Sequence, residues 1–264
     1  MPIINYRLWE QILTAAERSG IPSSKKRGIV RECLQAQILY HFYNIKDSRY
    51  LIFCGGTSLR FLYDNQRLSE DLDFDMVKKG VPLKEILQKI IHKQAGSSQN
   101  DIEFKLKEKT DGATAYFKYR TLLPYLKISQ HKDEKLMIKF DFSYPEDKIK
   151  PVDKSFSKFG YLQNVLTYDQ SSLLSFKTRA LFRRKTERGR DLYDIAKLRS
   201  FNVRPNLGVK FLKQKSIKTD ADYVSLLNKW YSNNQALLPK LKKQLLPFLI
   251  NEEEIKYLDF VFDK

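Results

Sequence analysis

The stretch from Cys54 to Phe74, CGGTSLRFLYDNQRLSEDLDF, constrains this chain most, because a small-residue turn stands a fixed distance ahead of two carboxylates spaced one residue apart. Leu51, Ile52 and Phe53 read as a short buried strand. Gly55 and Gly56 then let the backbone turn sharply and approach a ligand with no Cβ in the way. Thr57 and Ser58 are placed to cap the helix that follows, where Leu59, Leu62 and Tyr63 recur at helical spacing. Exposed N–H groups at such a helix start, with the positive end of its dipole, make an anion site suited to phosphate. Gly55, Gly56, Thr57 and Ser58 are therefore the candidate phosphate-binding residues.

Downstream, Asp71-Leu72-Asp73-Phe74 alternates polar and apolar, so a strand here puts both carboxylates on one face and both apolar side chains on the other. Between Asp64 and Asp75 there are five acidic residues and only Arg67 to offset them. Hard oxygen ligands at this spacing suit Mg²⁺ or Mn²⁺, and Mg²⁺ usually takes one or two carboxylates plus substrate phosphates. Two such ions can clamp the attacking and leaving oxygens of a phosphoryl or nucleotidyl transfer. Taken singly, a Gly-Gly turn after a strand is common and an acid-x-acid pair is often a solvated strand edge. The order strand, Gly-Gly-Thr-Ser, helix, Asp-x-Asp strand is much rarer than its parts.

That ordered set resembles the nucleotidyltransferase signature of the DNA polymerase β superfamily. Within it, the chain is most similar to the branch containing the AbiEii-type abortive-infection toxins and related tRNA-modifying toxins of toxin–antitoxin systems. In that branch the Gly-Gly-Thr turn is followed by Arg-x-Ser-x-Asp-Leu-Asp-Phe, present here as Arg67, Ser69, Asp71, Leu72, Asp73 and Phe74. Fourteen residues separate Gly56 from Asp71, somewhat more than in the general superfamily pattern. The resemblance implies that Arg67 reaches the phosphates or tethers the acidic loop. Ser69 matches a serine that some relatives use for control by phosphorylation; by itself a serine ahead of acids shapes the turn.

A second block, SFKTRALFRRKTERGRDLYDIAKL, resembles the later motifs of the same branch: a Lys-x-x-Ala helix with a trailing Arg, then Arg-Asp-x-x-Asp opening another helix. The matching positions are Lys177, Ala180, Arg183 or Arg184, Arg190, Asp191 and Asp194. From Lys177 to Arg190 there are seven basic residues against one acid, Glu187. On helical spacing Lys177, Arg184 and Arg188 fall near one face, while Leu174, Ala180 and Leu181 can face a core. Alone, the segment reads as a solvated basic helix. Beside the first block, Lys177 becomes the expected triphosphate ligand, with Arg184 and Arg190 as further phosphate contacts. Asp194 either orients Lys177 or forms a structural salt bridge with nearby arginines.

Two-metal transfer needs a further carboxylate to hold the nucleophile-side ion and help accept its proton. The run Leu136 to Phe142 is strand-like, with Asp141 flanked by aromatics, and a lone aspartate in an apolar strand is costly to bury unless paired or metal-bound. Asp141 is thus expected to join Asp71 and Asp73 as a metal ligand; its plainer reading is a strand-end residue ahead of the turn at Tyr144-Pro145.

The net charge of +17, from 48 Lys and Arg against 31 Asp and Glu, creates a field that attracts polyanions. RNA is the expected partner, since neutralised phosphates release counterions and supply most sequence-independent affinity. Tyr116, Phe117, Tyr119 and Tyr125, interleaved with Lys118, Arg120 and Lys127, could stack on unpaired bases, although such alternation more often marks a sheet with one buried face. No run approaches the roughly 20 apolar residues of a membrane span, and the start MPIINYRLWEQ lacks a signal-peptide pattern, so a cytoplasmic protein without membrane partners is expected. Cys33 and Cys54 are too few for a disulfide framework, and Cys54 reads as a small residue closing its strand.

Helical stretches are expected near residues 5 to 19 and 24 to 45, another near 82 to 93 after Pro82, strand-like runs from the polar loop AGSSQND to Phe142, and helices from about 168 onward. The fold class is α+β: a polymerase β-like core with a mixed sheet over residues 1–150, then a helical C-terminal domain over 151–264 contributing Lys177 and Asp194. The resemblance implies transfer from a nucleoside triphosphate to the 3′ end of tRNA, inhibiting translation and growth in toxin–antitoxin and phage defence, with a cognate antitoxin as partner. The alternatives are transfer to a protein or small-molecule hydroxyl, and an inactive module that only binds RNA or a partner.

Overall fold

A computed structural model describes residues 3–95, 101–186 and 189–259. Its contacts divide the chain into two units. The first comprises the described residues up to Leu62, with Leu68–Pro145 and Val152–Thr167; the second comprises Tyr63–Arg67, Glu146–Pro151 and the described residues from Tyr168.

In the first unit the order is α1 (Tyr6–Arg18), α2 (Lys26–Tyr43), β1 (Leu51–Cys54), α3 (Gly55–Leu62), β2 (Asp71–Met76), α4 (Leu83–Ala95), β3 (Ile102–Lys109), β4 (Gly112–Tyr119), α5 (Leu122–Tyr125), β5 (Leu136–Ser143), β6 (Val152–Lys158) and β7 (Tyr161–Thr167). The strands form one mixed sheet in the order β3-β4-β5-β2-β1-β7-β6. β2 with β5 and β1 with β7 run parallel, and the other neighbours antiparallel.

Period-two patterning decides which face is core. Leu72, Phe74 and Met76 of β2 are buried, as are Leu136, Ile138, Phe140 and Phe142 of β5. Phe74 stacks on Phe142 at 5.4 Å between ring centres and on Phe42 of α2 at 4.6 Å, and Phe117 meets Phe140 at 4.7 Å. This aromatic layer commits the opposite face of β2 and β5 to the polar residues. On the core side a buried glutamate, Glu32 of α2, is held by Arg60 of α3 at 3.1 Å and Lys158 of β6 at 2.8 Å. Burial alone would push its carboxyl up, but the two cations hold it below the usual range.

The second unit contains α6 (Gln170–Arg183), α7 (Gly189–Ser200), α8 (Lys210–Gln214), α9 (Asp220–Asn233) and α10 (Leu238–Leu245). Asp169 caps α6 by accepting from the Ser172 N–H at 2.8 Å, and Thr219 and Asp222 form a capping box on α9. At Gly189 a Cβ would lie 2.2 Å from the Leu241 carbonyl oxygen, so α7 opens against α10 at a separation only glycine permits. The Tyr63–Arg67 segment belongs here: Arg67 bridges to Leu249, and the Ile250 N–H donates to the Gln66 carbonyl at 3.2 Å.

The chain enters the second unit at Glu146–Pro151, returns to the first, and leaves it again at Tyr168. Val152–Thr167 forms β6 and β7, and β7 joins the sheet through its parallel pairing with β1, where Phe53 opposes Thr167 and the Thr167 hydroxyl donates to the Phe53 carbonyl at 2.7 Å. The expected aromatic stacking surface is also largely core. Phe117 and Tyr119 are buried, the Tyr119 hydroxyl donates to Gln94 at 2.8 Å, and Tyr125 packs against Tyr6 at 4.7 Å, leaving Tyr116 half-exposed beside Lys139. Residues 96–100 of the polar loop lie outside the described residues. Among the described residues no helix is long and apolar enough to cross a membrane.

Candidate active site

The parallel register of β2 and β5 sets Asp71 beside Lys139, Asp73 beside Asp141 and Asp75 beside Ser143. Paired residues of neighbouring strands share a face about 4.8 Å apart, so Asp71, Asp73 and Asp141 occupy one patch of the half-exposed face. Cys54 pairs with Asp73 on the other side, and Thr114 of β4 pairs with Asp141. The Thr114 hydroxyl donates to Asp141 Oδ1 at 3.0 Å, and the Lys139 ammonium binds Asp141 Oδ2. Burial pulls the Lys139 ammonium down, but Asp141 and then Asp71 outweigh it and raise it above the usual lysine value.

The glycine turn has a definite steric purpose. Gly55 takes φ +76°, and a Cβ there would stand 2.0 Å from Asp73 Oδ2. Glycine therefore serves twice: it adopts the left-handed backbone, and it lets the Asp73 carboxylate lie against the main chain. The expected caps are corrected. α3 begins at Gly55 itself, so Thr57 and Ser58 lie inside its first turn, fully buried. Their hydroxyls donate to the Asp71 carbonyl and, at 3.0 Å, to the Gly55 carbonyl. What α3 offers an anion is backbone, since first-turn N–H groups have no intrahelical acceptor. Gly56 is buried in the same turn. The Ser69–Glu70 turn is held from α2, where Gln35 donates to the carbonyls of Ser69 at 3.3 Å and Glu70 at 2.9 Å, and Arg31 pairs with Glu70 at 2.9 Å.

In the second unit, basic candidates gather around two aspartates of α7. Arg67 donates to Asp194 from Nε at 2.7 Å and from its terminal nitrogen at 2.6 Å. Lys177 of α6 reaches Asp194 at 2.8 Å and Asp191 at 3.1 Å, and Arg184 binds the other oxygen of Asp191. Asn65 donates to Asp194 at 2.7 Å. Arg67 and Asp194 are 2% and 0% exposed, so this bond is sealed from water. Burial would raise the Asp194 carboxyl, but Arg67 and then Lys177 hold it down to about 2; Lys177 itself is kept above the usual lysine value by Asp194 and Asp191 in spite of its burial. Both of these guanidinium contacts of Arg67 go to Asp194 of α7. Arg190 lies over the Phe248 ring at 4.4 Å. Glu187 and Arg188 lie outside the described residues, so the expected basic face is seen here through Lys177 and Arg184, which converge on Asp191.

Asn65, Lys139 and Thr114 were not marked by the sequence reading. Lys139 sits two residues before Asp141, so period-two spacing alone places it on the same face. Thr114 and Asn65 carry no such local signal, because their partners come from other elements. Among the described residues no three His, Cys, Asp or Glu side chains converge closely enough to hold a metal ion by themselves. The donor chemistry nevertheless suits a hard divalent cation: Asp71 and Asp73 share a face, with the space for Asp73 kept open by Gly55, and Mg²⁺ commonly completes its shell with water and substrate phosphates.

Residues 37–260 match the sequence profile of the family described as Nucleotidyl transferase AbiEii toxin, Type IV TA system. Two solved structures share the fold. One is JHP933 from Helicobacter pylori, at 19% identity and TM-score 0.53 over 89% of this chain and 90% of that one. The other, described as a candidate nucleotidyltransferase from H. pylori, stands at 20% identity and TM-score 0.56 over 89% of this chain and 92% of its own. A search of curated proteins gives no significant match.

Proposed function

The chain belongs to the AbiEii nucleotidyl transferase toxin family of type IV toxin–antitoxin systems, and on that premise we propose that it transfers nucleotides from a nucleoside triphosphate to RNA, with the 3′ end of tRNA as acceptor. Membership also implies a cognate antitoxin. The observation that carries the reading is the β2–β5 register, which sets Asp141 beside Asp73 on the face that Asp71 shares.

Asp71, Asp73 and Asp141 are the residues that would hold Mg²⁺ or Mn²⁺, together with substrate phosphates. Bound there, the ion supplies charge neutralisation and polarisation of the α-phosphate. The first-turn N–H groups of α3 at Gly56 and Thr57 donate to phosphate oxygens. Asp141 would also take the proton of the attacking hydroxyl as its oxygen bonds to the α-phosphorus, the α–β phosphoanhydride bond breaks and pyrophosphate leaves, a role open to a carboxylate on this face once Lys139 moves from it. Lys177 spends two of its three N–H donors on Asp191 and Asp194, which leaves one for a phosphate oxygen. Asp194 is a positioning residue, fixing Lys177 and Arg67. The surplus of positive charge favours a polyanionic acceptor.

The test is transfer of label. Native protein and an Asp71→Ala control are incubated with Mg²⁺, total tRNA and each labelled nucleoside triphosphate in turn. Label in tRNA only with the native protein supports the reading and names the nucleotide. Label appearing in protein or in small molecules instead moves the acceptor, and no label with any triphosphate overturns transfer.

A further inference from the structure

Asp141 has both carboxylate oxygens engaged before any metal enters, Oδ1 by Thr114 at 3.0 Å and Oδ2 by the Lys139 ammonium. Each oxygen keeps a further lone pair, so a cation that takes this carboxylate need not displace Thr114, but it meets the like charge of the Lys139 ammonium at Oδ2. Lys139 is also paired laterally with Asp71, so its ammonium on Asp141 acts on Asp71 as well, while the Lys109 ammonium stands behind Thr114 at 3.0 Å. Like charges at strand spacing repel, and one interposed positive charge relieves that repulsion. Lysine suits a temporary occupant: its ammonium is a compact point charge on a flexible stem, without the planar fork that locks arginine to a carboxylate. With side-chain exposures of 31% for Lys139 and 35% for Asp141, the pair has water beside it and is not locked in place.

From this arrangement we infer that Lys139 is an internal counter-ion that competes with the divalent cation for Asp141, a positioning residue that holds the carboxylate row together and gives way when metal binds. The inference rests on the metal-dependent reading above and adds a determinant of metal affinity to it. Removing the ammonium leaves the oxygen donors intact and removes the competing charge. The neutral variant should therefore bind a divalent ion more tightly, by roughly fivefold or more for a unit charge a few ångströms from a dication in a partly hydrated site.

Binding of Mn²⁺ alone to the full-length protein, followed by loss of the free-ion electron paramagnetic resonance signal, tests this. The forms are native, Lys139→Met, Lys139→Gln, Lys139→Arg and Asp71→Asn, each checked for folding by circular dichroism. Tighter binding in whichever neutral variant folds, with Lys139→Arg near native, supports the inference. Unchanged or weaker binding in the neutral variants, with Asp71→Asn still impaired, overturns it and leaves the metal site standing. No Mn²⁺ binding to any form, the neutral variants included, sinks the metal-dependent reading and the inference with it.

Discussion

Asp194 shows how much one side chain can carry. It is buried, accepts from Arg67, Lys177 and Asn65, and binds two cations at once. Taking away one charge of such a pair leaves the others uncompensated, so Asp194→Asn should lower stability by about 3–5 kcal/mol in urea unfolding. Its acidity adds a pH signature. A carboxyl at about 2 in the folded chain, against roughly 3.9 unfolded, contributes stability that is present above about pH 4 and lost as pH falls toward 2. The stability gap between native and Asp194→Asn proteins should therefore narrow over that window; a gap that stays constant would mean the charge is not what holds the cluster. Gly55→Ala is the complementary case at the other group. The left-handed backbone and the methyl pressed on Asp73 oppose it together, so nucleotide transfer should fall at least about hundredfold, the scale expected when a reacting group is displaced by about 1 Å. Sequence alone marked both residues but could not choose a role for Arg67, because its partner is 127 positions away in the chain.

At the scale of elements, local periodicity was legible and pairing was not. The alternation of Asp71 to Phe74 and the strand-like run Leu136 to Phe142 marked two strands, which the structure has as Asp71–Met76 and Leu136–Ser143. Nothing in either segment told that they run side by side in parallel with Asp73 opposite Asp141, since register follows from side chains on other elements. The start of α3 was misplaced for a related reason: a Thr-Ser pair is a natural cap, but here the helix begins at Gly55, three residues before the start that a Thr57 cap would give. If the aromatic layer is what presents the carboxylates, Phe74→Ala should destabilise the fold by about 3–5 kcal/mol, since Phe74 is fully buried among Phe42, Phe53 and Phe142. Thr219→Ala, which deletes half of the α9 capping box far along the chain, should cost only about 1 kcal/mol. Thermal unfolding of the two variants, side by side, checks that ordering.

For the molecule as a whole, charge is the property read most directly from composition, and it bears on the acceptor more than on the fold. A net +17 distributed over 264 residues cannot be neutralised by the ion pairs of the two aspartate clusters, which join as many carboxylates as they can reach and still leave lysines and arginines in large excess. An RNA acceptor held by that excess is bound largely through release of its counterions, so affinity should fall steeply and log-linearly with salt. For contacts to six or more phosphates the loss between 50 and 200 mM salt is about a thousandfold or greater. Fluorescence anisotropy of labelled tRNA against native protein gives the slope. A parallel titration of the triphosphate separates the two ligands, because a small anion engages few cations and its affinity should change far less over the same range. A steep slope for tRNA with a shallow one for the triphosphate is the expected result. Equal, shallow slopes would mean that the basic surplus does not grip a polyanion, and would favour a protein or small-molecule hydroxyl as the group that receives the nucleotide.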